Sequence, residues 1–88
     1  MMYVLKPKLY NQKSYYDKAL MEKIGDTLTL YSYGVDMISI YNGKVISLNK
    51  NPENYTQTTL KHIKDFLYQY LGLTGLTKKD ILKMRHER

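Results

Sequence analysis

Apolar residues recur mostly at every second position between Ala19 and Leu48, and at every third or fourth position between Leu60 and Leu71. The first spacing is that of half-buried strands, the second that of an amphipathic helix. Ala19 to Ile24 is a candidate strand that ends at the Gly25-Asp26 turn. In Thr27 to Tyr33, Leu28 and Leu30 point one way while Thr27, Thr29, Tyr31 and Tyr33 point the other. Gly34 interrupts the run as a bulge or bend does. Val35 to Tyr41 resumes it, with Ile38 and Ile40 on one face. Asn42-Gly43 fits a two-residue hairpin turn, because both central positions need φ above zero. Lys44 to Leu48 is then the return strand. Residues 1–13 show no clean period, and Pro7 opposes a helix there, so they read as an extended arm or an edge strand.

After the turn residues 49–54, Thr56 fits a helix N-cap, since its hydroxyl can accept from a free backbone N–H in the first turn. Tyr55 and Leu60 are placed to staple that end. The stripe Leu60, Ile63, Phe66, Leu67, Tyr70 and Leu71 is predicted to lie on the sheet, leaving Lys61, Lys64, Asp65, Tyr68 and Gln69 outward. Gly72 stops the helix Gln57 to Leu71. Thr77 with Asp80 three residues on, and Leu76 with Ile81, repeat the same start signals for a short helix of about Lys78 to His86. That helix has only Ile81, Leu82 and Met84 to bury, so it is either a docked cap or a segment firm only with a partner. The expected fold is α+β: three or four antiparallel strands, one long helix across a face and a short basic C-terminal helix. With 88 residues there is room for one domain. It divides into a basic arm (1–13), a strand-rich core with its helix (14–72) and a basic end (73–88).

Charge sharpens this picture. The net charge is +6. Lys6, Lys8 and Lys13 face no acid in residues 1–13, and Lys78, Lys79, Lys83, Arg85 and Arg88 outnumber Asp80 and Glu87 at the other end. The six Lys and six acids between them cancel, so the excess sits at the two ends. Clustered cations attract polyanions, although basic ends also serve plain solubility. Lys79, Lys83 and His86 share one helix face that can run along a phosphate backbone or stay solvated. Cys is absent, which excludes disulfides, thiolate nucleophiles and Cys-based zinc sites and fits a reducing cytoplasm. No stretch reaches the ~20 apolar residues that cross a membrane, and the first residues lack a signal-peptide run.

Of the eleven aromatic residues ten are Tyr. Tyr31, Tyr33 and Tyr41 fall on the sheet face opposite the helix, where rings can stack bases, pack on the arm or bury in a protein partner. His62 lies four residues after Thr58 and so shares its face. A lone His without a second ligand is a poor metal site, and it lacks the acid, nucleophile and orienting group that chemistry needs. It is expected to be tied to Thr58 or to the end of a strand. The acids show no paired spacing for general acid–base work, and no glycine-rich phosphate loop is present. Neither catalysis, nor a metal, nor a cofactor is expected.

Three stretches resemble a known group. Ser14-Tyr15-Tyr16-Asp17-Lys18-Ala19 resembles a Ser-Phe/Tyr-Tyr-Gly-Lys-Ala motif, and Leu30-Tyr31-Ser32-Tyr33-Gly34 a Leu-x-Ser-Tyr strand. Tyr55 to Leu67 resembles Tyr-Ser-x-Thr-Thr-x-Arg/Lys-His-Ile-x-x-Phe-Leu, carried here by Tyr55, Thr56, Thr58, Thr59 and His62. In that order they are similar to small uncharacterised domains of phages, prophages and mobile elements of Gram-positive bacteria. The likeness covers residues 14 to about 72. Asp17 departs from the motif's Gly and puts a turn in doubt; Thr56 for Ser keeps the cap. The resemblance implies a small strand-rich domain closed by a helix, of phage-related origin, and carries over no catalytic residue. The expected role is therefore an accessory protein in the host cytoplasm that binds rather than catalyses. Its expected partner is nucleic acid, met through the basic ends. The rival is a protein-directed inhibitor of host machinery, such as an anti-CRISPR protein. A homodimer is compatible with either.

Overall fold

The computed structural model describes residues 1–84, so Arg85, His86 and Arg88, named above as contacts, lie outside the described residues. The fold is α+β. Five antiparallel strands, β1 (Met2–Val4), β2 (Ala19–Ile24), β3 (Thr27–Ser32), β4 (Val35–Tyr41) and β5 (Lys44–Leu48), form one sheet in the order β1-β2-β3-β4-β5. They are followed by α1 (Gln57–Leu71) and α2 (Lys78–Leu82). The expected three or four strands are corrected to five. The added one is β1, the edge strand that is one of the two expectations for residues 1–13, and its three residues pair Met2 with Glu22, Tyr3 with Met21 and Val4 with Leu20. A strand so short carries no readable period, and only the free edge of β2 makes it a strand.

The hairpins are tight because their turn residues tolerate the left-handed region. Gly25 sits at φ 60°, Asn42 at 53° and Gly43 at 75°. Tyr33 (φ 53°) and Gly34 (φ 77°) make the β3–β4 turn. Of the two expectations for Gly34 the bend holds and the bulge does not, since it is part of a hairpin turn, and Tyr33 belongs to the turn rather than to the strand. The irregularities fall elsewhere. Leu30 pairs with Ile38 and Tyr31 with Asp36, which leaves Met37 as the extra residue of a bulge on β4. Asp17 also takes φ 60°, next to Tyr16 at 53°, and the Lys18 amide closes onto the Tyr15 carbonyl at 2.9 Å. The turn survives without Gly because Asp is among the residues that tolerate this conformation.

One sheet face carries Ala19, Met21, Leu30, Ile38 and Ile40, all buried, and α1 lays Ile63, Phe66 and Leu67 against it. Thr56 caps α1 by accepting from the Thr59 amide at 3.2 Å. Gly72, at φ 70°, closes its other end by donating to the Tyr68 carbonyl. Tyr70, read as part of the buried stripe, is 45% exposed, its ring centroid 5.4 Å from that of Phe66. The short helix is docked. Thr77 and Asp80 form a complete capping box, and Ile81 is fully buried in the common core. Its helical residues end at Leu82, before the expected His86.

Candidate nucleic-acid interface

Residues 6–12 run antiparallel to α1, held at three successive turns of that helix. Gln69 donates from Nε2 to the Lys6 carbonyl at 2.7 Å. The Lys8 and Leu9 amides donate to the Asp65 carboxyl oxygens at 2.9 and 3.1 Å. Lys61 donates from Nζ to Gln12 Oε1 at 2.6 Å, and its ammonium stands 5.1 Å from the centre of the Tyr10 ring. Residues 61, 65 and 69 are each one turn apart, so the arm is pinned at steps of about 6 Å.

Asp65 is the centre of this docking. Its Oδ2 also accepts from the Tyr15 hydroxyl at 2.6 Å and its Oδ1 from Gln69 Nε2 at 2.9 Å. Expected to point outward, Asp65 is instead fully buried. Helical periodicity describes the face turned to the sheet; it is blind to a second layer formed by an arm distant in sequence. Burial, and next the bond to Asp65, push the Tyr15 hydroxyl well above the usual tyrosine range. A readable hint existed: Asp65 lies three residues after His62 and four before Gln69, so all three flank one side of the helix.

Pinning the backbone leaves the lysines outside. Lys6, Lys8 and Lys13 are exposed along the arm, with Lys61 and Lys64 half-buried on the adjoining side of α1. Lys78, Lys79 and Lys83 are exposed on α2 and its cap. The two basic ends are neighbours. A cleft of about 210 Å³ is lined by Leu9 and Tyr10 from the arm, Lys64 from α1, and residues 73–76 leading into α2. The cations at both ends are visible in the sequence; that the ends meet is a property of the fold.

His62 is buried and structural in its surroundings. Its Nδ1 lies 2.8 Å from Ser32 Oγ, which in turn lies 2.9 Å from Thr59 Oγ1. The ring meets Tyr15 edge-on at 4.5 Å and lies under Tyr33 at 5.8 Å. Of the two expected anchors, the strand end holds it through Ser32, whereas Thr58 is exposed and takes no part. Burial, and then the Lys61 charge, lower its pKa, with Asp65 opposing. Tyr55 is buried and donates its hydroxyl to the Asn49 carbonyl at 2.7 Å. Among the described residues no group of three or more His, Asp or Glu gathers at metal-binding distance.

The three sheet tyrosines do not share a face. Tyr33, in its turn, covers His62 on the helix side. Tyr31 and Tyr41 remain on the opposite face, where Tyr31 donates to Glu22 Oε1 at 2.9 Å. That bond raises the Tyr31 pKa, and burial adds to it. Nearby Asp36 is raised by burial and by Glu22. Neither the helix nor the sheet brings these acids together with His62.

The model of a family of unknown function, DUF8033, matches residues 3–83. The chain belongs to that family. No curated protein and no solved structure matches it. The match reaches beyond residues 14–72, so most of the arm and the whole of α2 are part of the family unit rather than additions peculiar to this chain. That agrees with Leu5 and Ile81 being buried in the same core as the sheet and α1. Among the described residues no helix is long and apolar enough to cross a membrane.

Proposed function

We propose that this DUF8033 protein binds nucleic acid through the lysines of its docked arm, α1 and α2. In this reading it serves a phage or mobile element in the cytoplasm of the host and performs no catalysis. The observation that carries the reading is the pinned arm. Its backbone is fixed to α1 through Asp65 and Gln69 while Lys6, Lys8 and Lys13 project to solvent. Fixing a chain of cations beforehand lowers the ordering cost of binding a polyanion. The exposed α2 lysines follow residues 73–76, which meet the arm at the shared cleft, and each phosphate neutralised releases condensed counterions. The phage origin rests on the resemblance of the Tyr55 to Leu67 stretch.

Affinity for a random duplex, measured by anisotropy against salt, tests this. Contact with about five phosphates gives a slope of log affinity on log salt near −4 to −5. Replacing Lys6, Lys8 and Lys13 with Gln is expected to flatten that slope by about 2 to 3 while the thermal transition stays in place. Absence of binding at about 50 mM salt, where screening is weak, defeats the reading.

A second reading has its own support. The sheet face away from α1 leaves Met2, Val4, Ile24 and Tyr41 between 43 and 67% exposed. Such a face suits a protein partner, as in a protein-directed inhibitor of the anti-CRISPR kind, or a second copy in a homodimer. Binding to a host protein that is insensitive to salt and lost on Ile24→Glu favours this alternative.

A further inference from the structure

Where α1 leaves the sheet, a groove of about 420 Å³ opens beside the start of the arm. Leu28 and Ile40 form part of its lining from the sheet, Tyr3 from β1, Tyr41 from β4 and Tyr70 from α1, while Lys23 and Asp26 bring one charge of each sign. Tyr3 and Tyr70 are 43 and 45% exposed, so each ring is packed against the protein while part of its surface meets solvent. The volume falls in the range of sites that hold small ligands. Two of its lining residues also adjoin the lysine track along the chain. Tyr3 precedes Lys6 by three residues, and Tyr70 follows Gln69, which grips the Lys6 carbonyl.

Resting on the nucleic-acid reading above, we propose that this groove takes an unpaired base of a single strand whose phosphates follow Lys6, Lys8 and Lys13. The chemistry favours this occupant over a peptide side chain. Aromatic walls stack any base, the Lys23 and Asp26 charges beside it offset one another so that the arm lysines hold the phosphates, and a polyanion already steered onto those lysines brings a base to the opening. Only a single strand can supply both parts, because bases in a duplex are already stacked and paired.

The test uses the full chain and two fluorescent probes of equal length and charge, a thymidine oligonucleotide and its abasic counterpart, at low salt. The thymidine strand is expected to bind between fivefold and a hundredfold more tightly, the order that stacking one base on an aromatic ring supplies. Tyr70→Ala and Tyr3→Ala are each expected to reduce that preference, while Tyr70→Phe retains it. In the wild-type chain, photocrosslinking with an iodouracil strand should map to Tyr3 or Tyr70, an arm that needs no variant to fold. Equal affinity for the two strands, or crosslinks confined to other segments, overturns the base site and leaves the lysine track standing. Failure of both strands to bind overturns the track as well, and leaves the groove to a protein side chain.

Discussion

The substitution Asp65→Asn tests whether the arm is held as described. The carboxyl group accepts from four donors, the Lys8 and Leu9 amides, the Tyr15 hydroxyl and the Gln69 amide. A carboxamide in its place keeps one oxygen, so two of these donors would face an NH₂ group that cannot accept. If that group turns toward the partners of Oδ1, the Gln69 side chain can swing to solvent, but the Leu9 amide stays where it is. One stranded donor costs about 1–3 kcal/mol, and weakening the rest brings the expected loss to about 2–4 kcal/mol. That is a large share of a stability of about 5–15 kcal/mol. At about 4–8 °C per kcal/mol for a domain this small, the melting temperature should fall by roughly 8 °C or more. Thermal denaturation followed by circular dichroism measures the total. Hydrogen exchange at the Lys8 and Leu9 amides locates it, since both should lose protection before the β2–β3 amides do. A variant that melts within about 2 °C of wild type with both amides still protected refutes the assignment of Asp65 as the anchor. Tyr15→Phe is the milder control: it removes one hydroxyl from the set, with an expected cost of about 1 kcal/mol.

Stability should also depend on pH through His62. Its folded pKa lies below the ordinary 6.5, so the neutral ring is the favoured form in the fold. The contribution is fully present above pH 6.5 and is lost as pH falls below it toward the folded value. Urea midpoints measured across this window for wild type and His62→Gln should differ in slope; parallel curves would count against a buried neutral ring. Thr77→Ala removes the hydroxyl of the α2 capping box and is expected to cost about 1 kcal/mol. Limited proteolysis after Lys79 or Lys83 should accelerate while the sheet keeps its exchange protection; an unchanged cleavage rate would show that Ile81 alone holds α2.

Much of the scaffold was legible in the chain because it depends on neighbours in sequence. The bounds of β2, β4, β5 and α1 follow from alternation, from Asn42-Gly43, and from Thr56 and Gly72 at the two helix ends. Tyr33 reads as a strand residue in the sequence because a turn residue and a strand residue can occupy the same place in an alternating run. Its positive φ is set by the pairing of Ser32 with Val35, not by its own preference. The candidate site was legible only as a list of charges.

Local propensity and short-range capping are written residue by residue, so the amino-acid order alone determines the turns at Gly25-Asp26 and Asn42-Gly43, where α1 begins and ends, and that the cations cluster at the two ends. Long-range contacts are not written that way. Only the folded chain decides that the arm lies along α1, that Asp65 faces inward, and that Leu9, Tyr10 and residues 73–76 line one cleft. Each of these joins groups far apart in the chain, Asp65 and the Lys8 amide by 57 positions. Such contacts answer to which hydrogen-bonding groups remain unsatisfied after the sheet and helix have packed, a condition of the assembled core rather than of any one segment.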